Sequence, residues 1–224
     1  MSNTVSVVIV AGGKGVRFQN EVPKQFAKVK NEPLLFYCVR AFVNHPKVGQ
    51  VVIVLPPEEL NFIDEVLREF PGQDITAVKG GGSRQASVLC GLKSVSKKGV
   101  VLIHDGARPL VSPALIDRCL SGLKLHSGVC PVIQVTDSIV FSEGTEIESY
   151  PERRKLFRAQ TPQGFQTELI LNAHLEAVEE VLMFTDDCSL FFHFGHKVGL
   201  IEGEVDNIKL SHPSDLAIIE SLID

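Results

Sequence analysis

Gly12, Gly13 and Gly15 occupy three of four consecutive positions, directly after Ala11, and are trailed by Arg17 and, behind Pro23, by Lys24. Glycines let a backbone turn tightly and aim successive N–H groups at an anion. An arginine and a lysine just beyond add positive charge. The set suits a nucleoside triphosphate held by main-chain amides and gripped by two cations. It also suits a glycine-rich strand-to-helix turn with two solvated basic residues, and the segment alone leaves both readings open. Two common phosphate loops are excluded by spacing: there is no G-K-[ST] ending, and G-x-G-x-x-G does not fit.

Other chemistry-bearing residues follow in order. Gly80, Gly81 and Gly82 precede Ser83 and Arg84, and Ser87 then falls in the first turn of a helix. There its hydroxyl can reach a ribose or base, or only serve the helix start. Asp105 and Arg108 follow the apolar run 100–103, a poor place for packing and a good one for a site. Asp105 suits a metal or ribose and Arg108 a phosphate, whereas His104 reads as a hydrogen-bonded structural residue. Arg153, Arg154, Lys155 and Arg158 put four cations in six residues, either a solvated face or a phosphate contact, next to Q-T-P-Q at 160–163. Asp186 and Asp187 stand at a helix start capped by Thr185 or Asp186. Lys209 is a lone cation between a strand and a helix.

The elements that must position these residues are legible from periodicity. Apolar, β-branched runs at 7–10, 51–55, 75–78, 100–103, 128–135 and 198–202 read as buried strands. Helical spacing covers 33–44, 58–70, 113–125 and 167–182, with a closing helix opened near 211–216. The alternation predicts an α/β fold: a doubly wound, mostly parallel, Rossmann-like sheet with right-handed crossovers and its ligand at the strands' carboxyl ends. Residues 139–155 differ, being polar, broken by Gly144 and Pro151, and holding short strand-like pieces. They predict a protruding β-arm, about 138–156, on a single domain spanning 1–224. Such an arm cannot bury a core alone, so a partner subunit is the simplest cover.

A chain of 224 residues with 44% apolar and 22% charged residues is an ordinary globular composition, and a net charge of −5 argues against a general nucleic-acid binder. An anionic substrate then needs a local basic pocket. No apolar run approaches a membrane span and no signal-peptide pattern opens the chain, so a cytoplasmic location is the default. The five cysteines are odd in number and lack a C-x-x-C pair, which favours reduced core thiols. His193 and His196 have no companion ligands for a metal.

Seven ordered segments make the function specific: AGGKGVRF with PKQF, GGGSRQASVLCGL, HDGARP, VTDS, R-x-x-L-F with QTPQGF, TDDCSL and EGEVDNIKLSHPSDL. Together they resemble the 2-C-methyl-D-erythritol 4-phosphate cytidylyltransferases of non-mevalonate isoprenoid synthesis, from residue 7 to about 219. The resemblance implies transfer of CMP from CTP to methylerythritol 4-phosphate, with pyrophosphate released and Mg²⁺ on the triphosphate. It implies that Ala11, Gly12, Gly13 and Gly15 wrap CTP, while Arg17, Lys24 and Lys209 meet the phosphates. Gly81 and Ser87 would help read base and ribose. Asp105, Arg108, Ser138, Arg153 and Thr161 would surround the sugar phosphate, with Ser138 and Arg153 coming from the neighbouring subunit of an arm-exchanged homodimer. Gly82, Ser138 and Val140 depart from the commoner acid, threonine and lysine at those positions. Ribitol-5-phosphate cytidylyltransferase is the nearest relative to separate. TDDCSL and the aromatic in RRKLFRAQTPQ favour the erythritol branch. A non-catalytic nucleotide-binding module is disfavoured by Lys24 and Lys209. An NAD-binding oxidoreductase is disfavoured by Pro56 and Pro57 closing the second strand.

Overall fold

The computed structural model describes residues 5–12, 24–96 and 98–223. Gly13, Gly15 and Arg17 lie outside the described residues, and of Lys24 only the backbone, opening a 3-10 turn over Lys24–Phe26, is described.

Seven strands, β1 (Val5–Val10), β4 (Val48–Leu55), β5 (Ile75–Lys79), β6 (Val100–Asp105), β7 (Gly128–Gln134), β9 (Gln163–Gln166) and β10 (Val198–Glu202), form one sheet in the order β10-β7-β9-β6-β1-β4-β5. An eighth, β8 (Phe157–Ala159), pairs with β7. The pairs β1–β4, β1–β6, β4–β5 and β7–β10 are parallel, whereas β9 runs antiparallel to both β6 and β7. A two-residue ladder of β2 (Lys28–Val29) and β3 (Glu32–Pro33) stands apart.

The continuous apolar strands follow from a sheet covered on both faces. Val7, Ile9, Ile53 and Leu102 point into one core, and Val8, Val52, Val54 and Ile103 into the other. The first core is covered by α1 (Leu34–Val43), α2 (Ile63–Glu69), α4 (Pro113–Gly122) and α7 (Pro213–Leu222). The second is covered by α3 (Arg84–Leu92), α5 (Thr167–Glu179) and α6 (Asp187–His193). α3 lies close to the sheet because residue 91 is glycine: a Cβ there would overlap Val8 Cγ1 and stand 2.9 Å from Val54 Cγ2. No helix among the described residues is long and apolar enough to cross a membrane.

Three expectations need correction. Residues 58–70 are not one helix, because a 3-10 turn over Pro57–Phe62 precedes α2. β9 is invisible to periodicity: QGFQ carries one large apolar residue, and only neighbours on both sides draw it into the sheet. The arm holds a single antiparallel bridge between Phe141 and Ser149 instead of a ladder. With Gly144 and serines around it, it exposes Ile139, Val140, Phe141, Ile147 and Tyr150.

Candidate active site

The strands' carboxyl ends run into a row of loops, and three main-chain bonds align them. Gly80 N–H donates to Leu55 O at 2.8 Å, Ala11 N–H to Val54 O at 2.9 Å and Gly106 N–H to Val10 O at 2.9 Å. β1 sends its chain one way to β4 while β6 lies on its other side, so this row meets the switch point where α/β sheets hold ligands. A cavity of about 100 Å³ opens there, lined by Val10, Ala11, Gln25, Arg84, Asp105, Ala107 and Lys209.

Asp105, the last residue of β6, is the electrostatic hub. Lys209 Nζ donates to its Oδ2 at 2.6 Å, and Arg84 Nε to its Oδ1 at 3.0 Å. Burial alone would raise this carboxyl, but the Arg84 and Lys209 charges reverse the effect and hold it well below the usual carboxylate range. Its backbone is fixed as well, since Asp105 N–H donates to Thr161 Oγ1 at 3.1 Å.

Lys209 reaches this hub because its loop is pinned two residues upstream. Asn207 is fully buried and donates from Nδ2 to Thr161 O at 2.8 Å, while its carbonyl accepts from Arg108 Nη1 at 2.7 Å. Leu210 N–H then donates to Ala107 O at 2.8 Å. Arg108 is thus held beside the Lys209 loop, with its Nε unpaired among the described residues. Burial lowers its guanidinium from the ordinary value. His104 bonds to Arg108 O at 2.9 Å and to Thr161 Oγ1 at 3.2 Å, and burial lowers its pKa to about 4. It is a neutral, sealed structural histidine.

The hydroxyls expected at ligand turn inward. Ser87 Oγ donates to Ser83 O at 2.8 Å and accepts from Gly81 N–H at 3.1 Å, so it shapes the second glycine loop from beneath. Ser83, not Ser87, caps α3, accepting from Ala86 N–H at 3.1 Å. Gly81 is needed for closeness: a Cβ would sit 2.6 Å from Ala86 Cβ. Thr161 likewise supports Asp105. Gly12 follows Ala11 beside the second loop, where a Cβ would stand 3.4 Å from Ser87 Oγ. Ser138 and Arg153 are exposed on the arm outside the cavity lining, where Arg153 Nη1 donates to Thr136 O at 3.0 Å.

Several residues escaped sequence reasoning. Arg84 links Asp105 to Asp187, donating from Nη2 to Asp187 Oδ2 at 2.9 Å. Asp187 also bonds to the fully buried His174 Nε2 at 3.1 Å. Gln163 Nε2 donates to Asp186 Oδ2 at 2.8 Å and its Oε1 accepts from Cys188 N–H at 3.0 Å, tying QTPQ to TDDCSL. Gln25 is buried in the cavity wall, and its Nε2 has no partner among the described residues. The signal available was motif membership: Arg84 closes the glycine loop, Asp187 is the second acid of TDD, and Gln25 follows Lys24.

The chemistry of this arrangement is electrostatic. Cations and amides converge on a small cavity, and the histidine beside it is buried and bonded at both ring nitrogens. Asp105 is the only carboxylate among the described lining residues, and no group of three His, Cys, Asp or Glu able to hold a metal occurs among the described residues. One carboxylate fits an ion carried mainly by ligand phosphates, such as Mg²⁺, which takes few protein ligands and keeps its waters.

A family model for 2-C-methyl-D-erythritol 4-phosphate cytidylyltransferase matches residues 5–224. A relative of that name from Caldanaerobacter subterraneus subsp. tengcongensis is 39% identical over 220 residues, covering 96% of this chain and 97% of the relative. The crystal structure of the enzyme of that name from Thermus thermophilus superposes with a TM-score of 0.79 at 32% identity, covering 96% of each chain. A 4-diphosphocytidyl-2C-methyl-D-erythritol synthase from Anaerococcus prevotii reaches 0.88 over 99% of this chain and 96% of its own, and at 24% identity it speaks for the fold alone.

Proposed function

The chain belongs to the 2-C-methyl-D-erythritol 4-phosphate cytidylyltransferase family, and on that premise we propose that it catalyses cytidylyl transfer by positioning and fixed positive charge, with no general base. The phosphate of the acceptor attacks the α-phosphorus of CTP and pyrophosphate leaves. A phosphate monoester has a second pKa of about 6, so at neutral pH the nucleophile is already a dianion. The obstacle is bringing two strongly anionic groups together while charge grows on the non-bridging oxygens, which preorganised cations meet directly.

In this reading Ala11, Gly12, Gly13 and Gly15 receive the triphosphate, and Arg17, Lys24 and Lys209 stabilise charge at the reacting phosphorus. Gly81 faces the base and ribose in a loop that Ser87 shapes from beneath, and Gln25 Nε2 offers one further donor. Mg²⁺ would be carried mainly by the triphosphate, with Asp105 as the one carboxylate nearby, and would supply charge neutralisation between the phosphates. Arg108 borders the acceptor, and Thr161 fixes the Asp105 backbone behind it. Ser138 and Arg153 reach it from the arm of a second subunit in a homodimer. The observation that carries the reading is Lys209, an ammonium at the cavity wall held by a carboxylate that Arg84 already neutralises.

The test is pyrophosphate release from CTP and Mg²⁺ with methylerythritol 4-phosphate, and in parallel with ribitol 5-phosphate. Lys24→Ala and Lys209→Ala should each lower turnover by about 10²–10³ with the fold intact, the usual loss for one preorganised charge donor. Nearly wild-type turnover in either variant refutes the assignment of roles.

A further inference from the structure

Lys209 is held by Asp105, but Asp105 is not held by Lys209 alone. A line of hydrogen-bonded side chains runs inward from it through five segments: Lys209 in the loop before α7, Asp105 at the end of β6, Arg84 opening α3, Asp187 opening α6, and His174 on α5. Each link is a hydrogen bond, at 2.6, 3.0, 2.9 and 3.1 Å in turn. Its outer end, Lys209, is partly exposed, and its inner end, Asp187 and His174, is fully buried. Arg84 is the only member that grips two carboxylates. Its planar fork gives Nε to Asp105 and Nη2 to Asp187, an arrangement a lysine ammonium on a flexible stem does not reproduce.

A buried ion pair is weak evidence for stability, because desolvation offsets its attraction. Asp187 and His174 sit outside the cavity lining, and the transfer reaction as derived does not use them. What the line achieves is geometric. With Asp187 anchoring one edge of the guanidinium, the other edge fixes Asp105 Oδ1, and the carboxylate can present only Oδ2 to Lys209.

We propose that Arg84 is a positioning residue for cytidylyl transfer, locked by Asp187 and His174 so that Asp105 holds the Lys209 ammonium where charge develops. This rests on the role assigned to Lys209 above. Releasing the lock leaves the cation present but displaced, and misplacement by about 1 Å can cost on the order of a hundredfold in rate.

The test uses the full chain and separates kcat from KM. Asp187→Asn keeps the shape and removes the charge that orients Arg84, and Arg84→Lys keeps the charge and removes the fork. Each should lower kcat by about tenfold or more while KM for CTP moves by less than about threefold, normalised to CTP-binding sites counted by calorimetry. His174→Gln, which retains an N–H donor towards Asp187, should recover most of the activity that His174→Leu loses. The decisive comparison is in a Lys209→Ala background. There Asp187→Asn should lower the residual rate by less than about twofold, because the group it positions is gone. An equal further loss in that background overturns the proposal, as does an Asp187→Asn enzyme with wild-type kcat. If Asp187→Asn does not fold, Arg84→Lys in the same background carries the test. If Lys209→Ala alone is nearly active, the underlying assignment of Lys209 fails instead, which the same plate reveals.

Discussion

Heterodimers built from two inactive variants give a sharp test of how the site is completed. Arg153 lies on an arm whose Phe141 and Tyr150 are 52% and 67% exposed, and Arg153 itself is outside the cavity that holds Lys209. A second open apolar face, a cavity of about 620 Å³ lined in part by Val132, Phe157, Leu200 and Val205, flanks the arm's base at the β7–β8–β10 edge. If the arm completes a neighbour's site, each site draws Lys209 from one chain and Arg153 from the other. Arg153→Ala and Lys209→Ala homodimers are then each about 10²–10³ down in turnover. In a heterodimer of the two, one site carries both defects and the other carries neither. Co-expression with two tags and tandem purification should therefore yield about half of the wild-type turnover per dimer. Pyrophosphate release reads this directly, against backgrounds below about 1% from the homodimers. Heterodimers no more active than those homodimers would show that Arg153 serves its own chain, and the arm-exchange reasoning would fall.

Three further outcomes follow from the packing. Gly91→Ala drives a methyl into Val8 and Val54; overpacking costs about 1–3 kcal/mol against a helix-propensity gain of at most about 1. Tm should fall by a few degrees, and an unchanged or raised Tm would show that α3 can retreat from the sheet. Asn207→Ala removes the donor to Thr161 O that pins the Lys209 loop; it should cost about 1–3 kcal/mol and also lower kcat, whereas a stability loss with normal kcat would uncouple that loop from catalysis. Thiol titration of the native enzyme should find Cys90 alone reacting quickly. Cys38, Cys119, Cys130 and Cys188 are buried, and burial pushes Cys38 and Cys188 up and Cys119 up to about 12. Rapid modification of a second thiol contradicts the buried placement.

The parallel core of the fold was legible because β1, β4 and β6 carry near-continuous apolar, largely β-branched runs, as burial on both faces demands. The glycine loops, Asp105 and Arg108 were legible as motifs because each follows a strand's end, where such sheets bind ligands, whereas Lys209 stood out only as a lone cation between a strand and a helix and through the family resemblance. The local sequence narrowed the cap of α6 to Thr185 or Asp186, and Asp186 is the one that caps, since capping chemistry is decided within four residues. β9 was hidden because four residues with one large apolar side chain have no period, and their conformation comes from the strands on either side. Ser87 and Thr161 were read as facing ligand because a hydroxyl in a motif carries no direction. Only the packed loop shows that one supports Gly81 and Ser83 and the other supports Asp105. The line from His174 to Lys209 joins residues 13, 103, 21 and 104 positions apart. Sequence alone determined which charges this protein carries and that Asp105 closes a buried strand. The tertiary structure decided which of them touch, because pairing over such separations is set by how helices seat on a common sheet, and no local pattern encodes it.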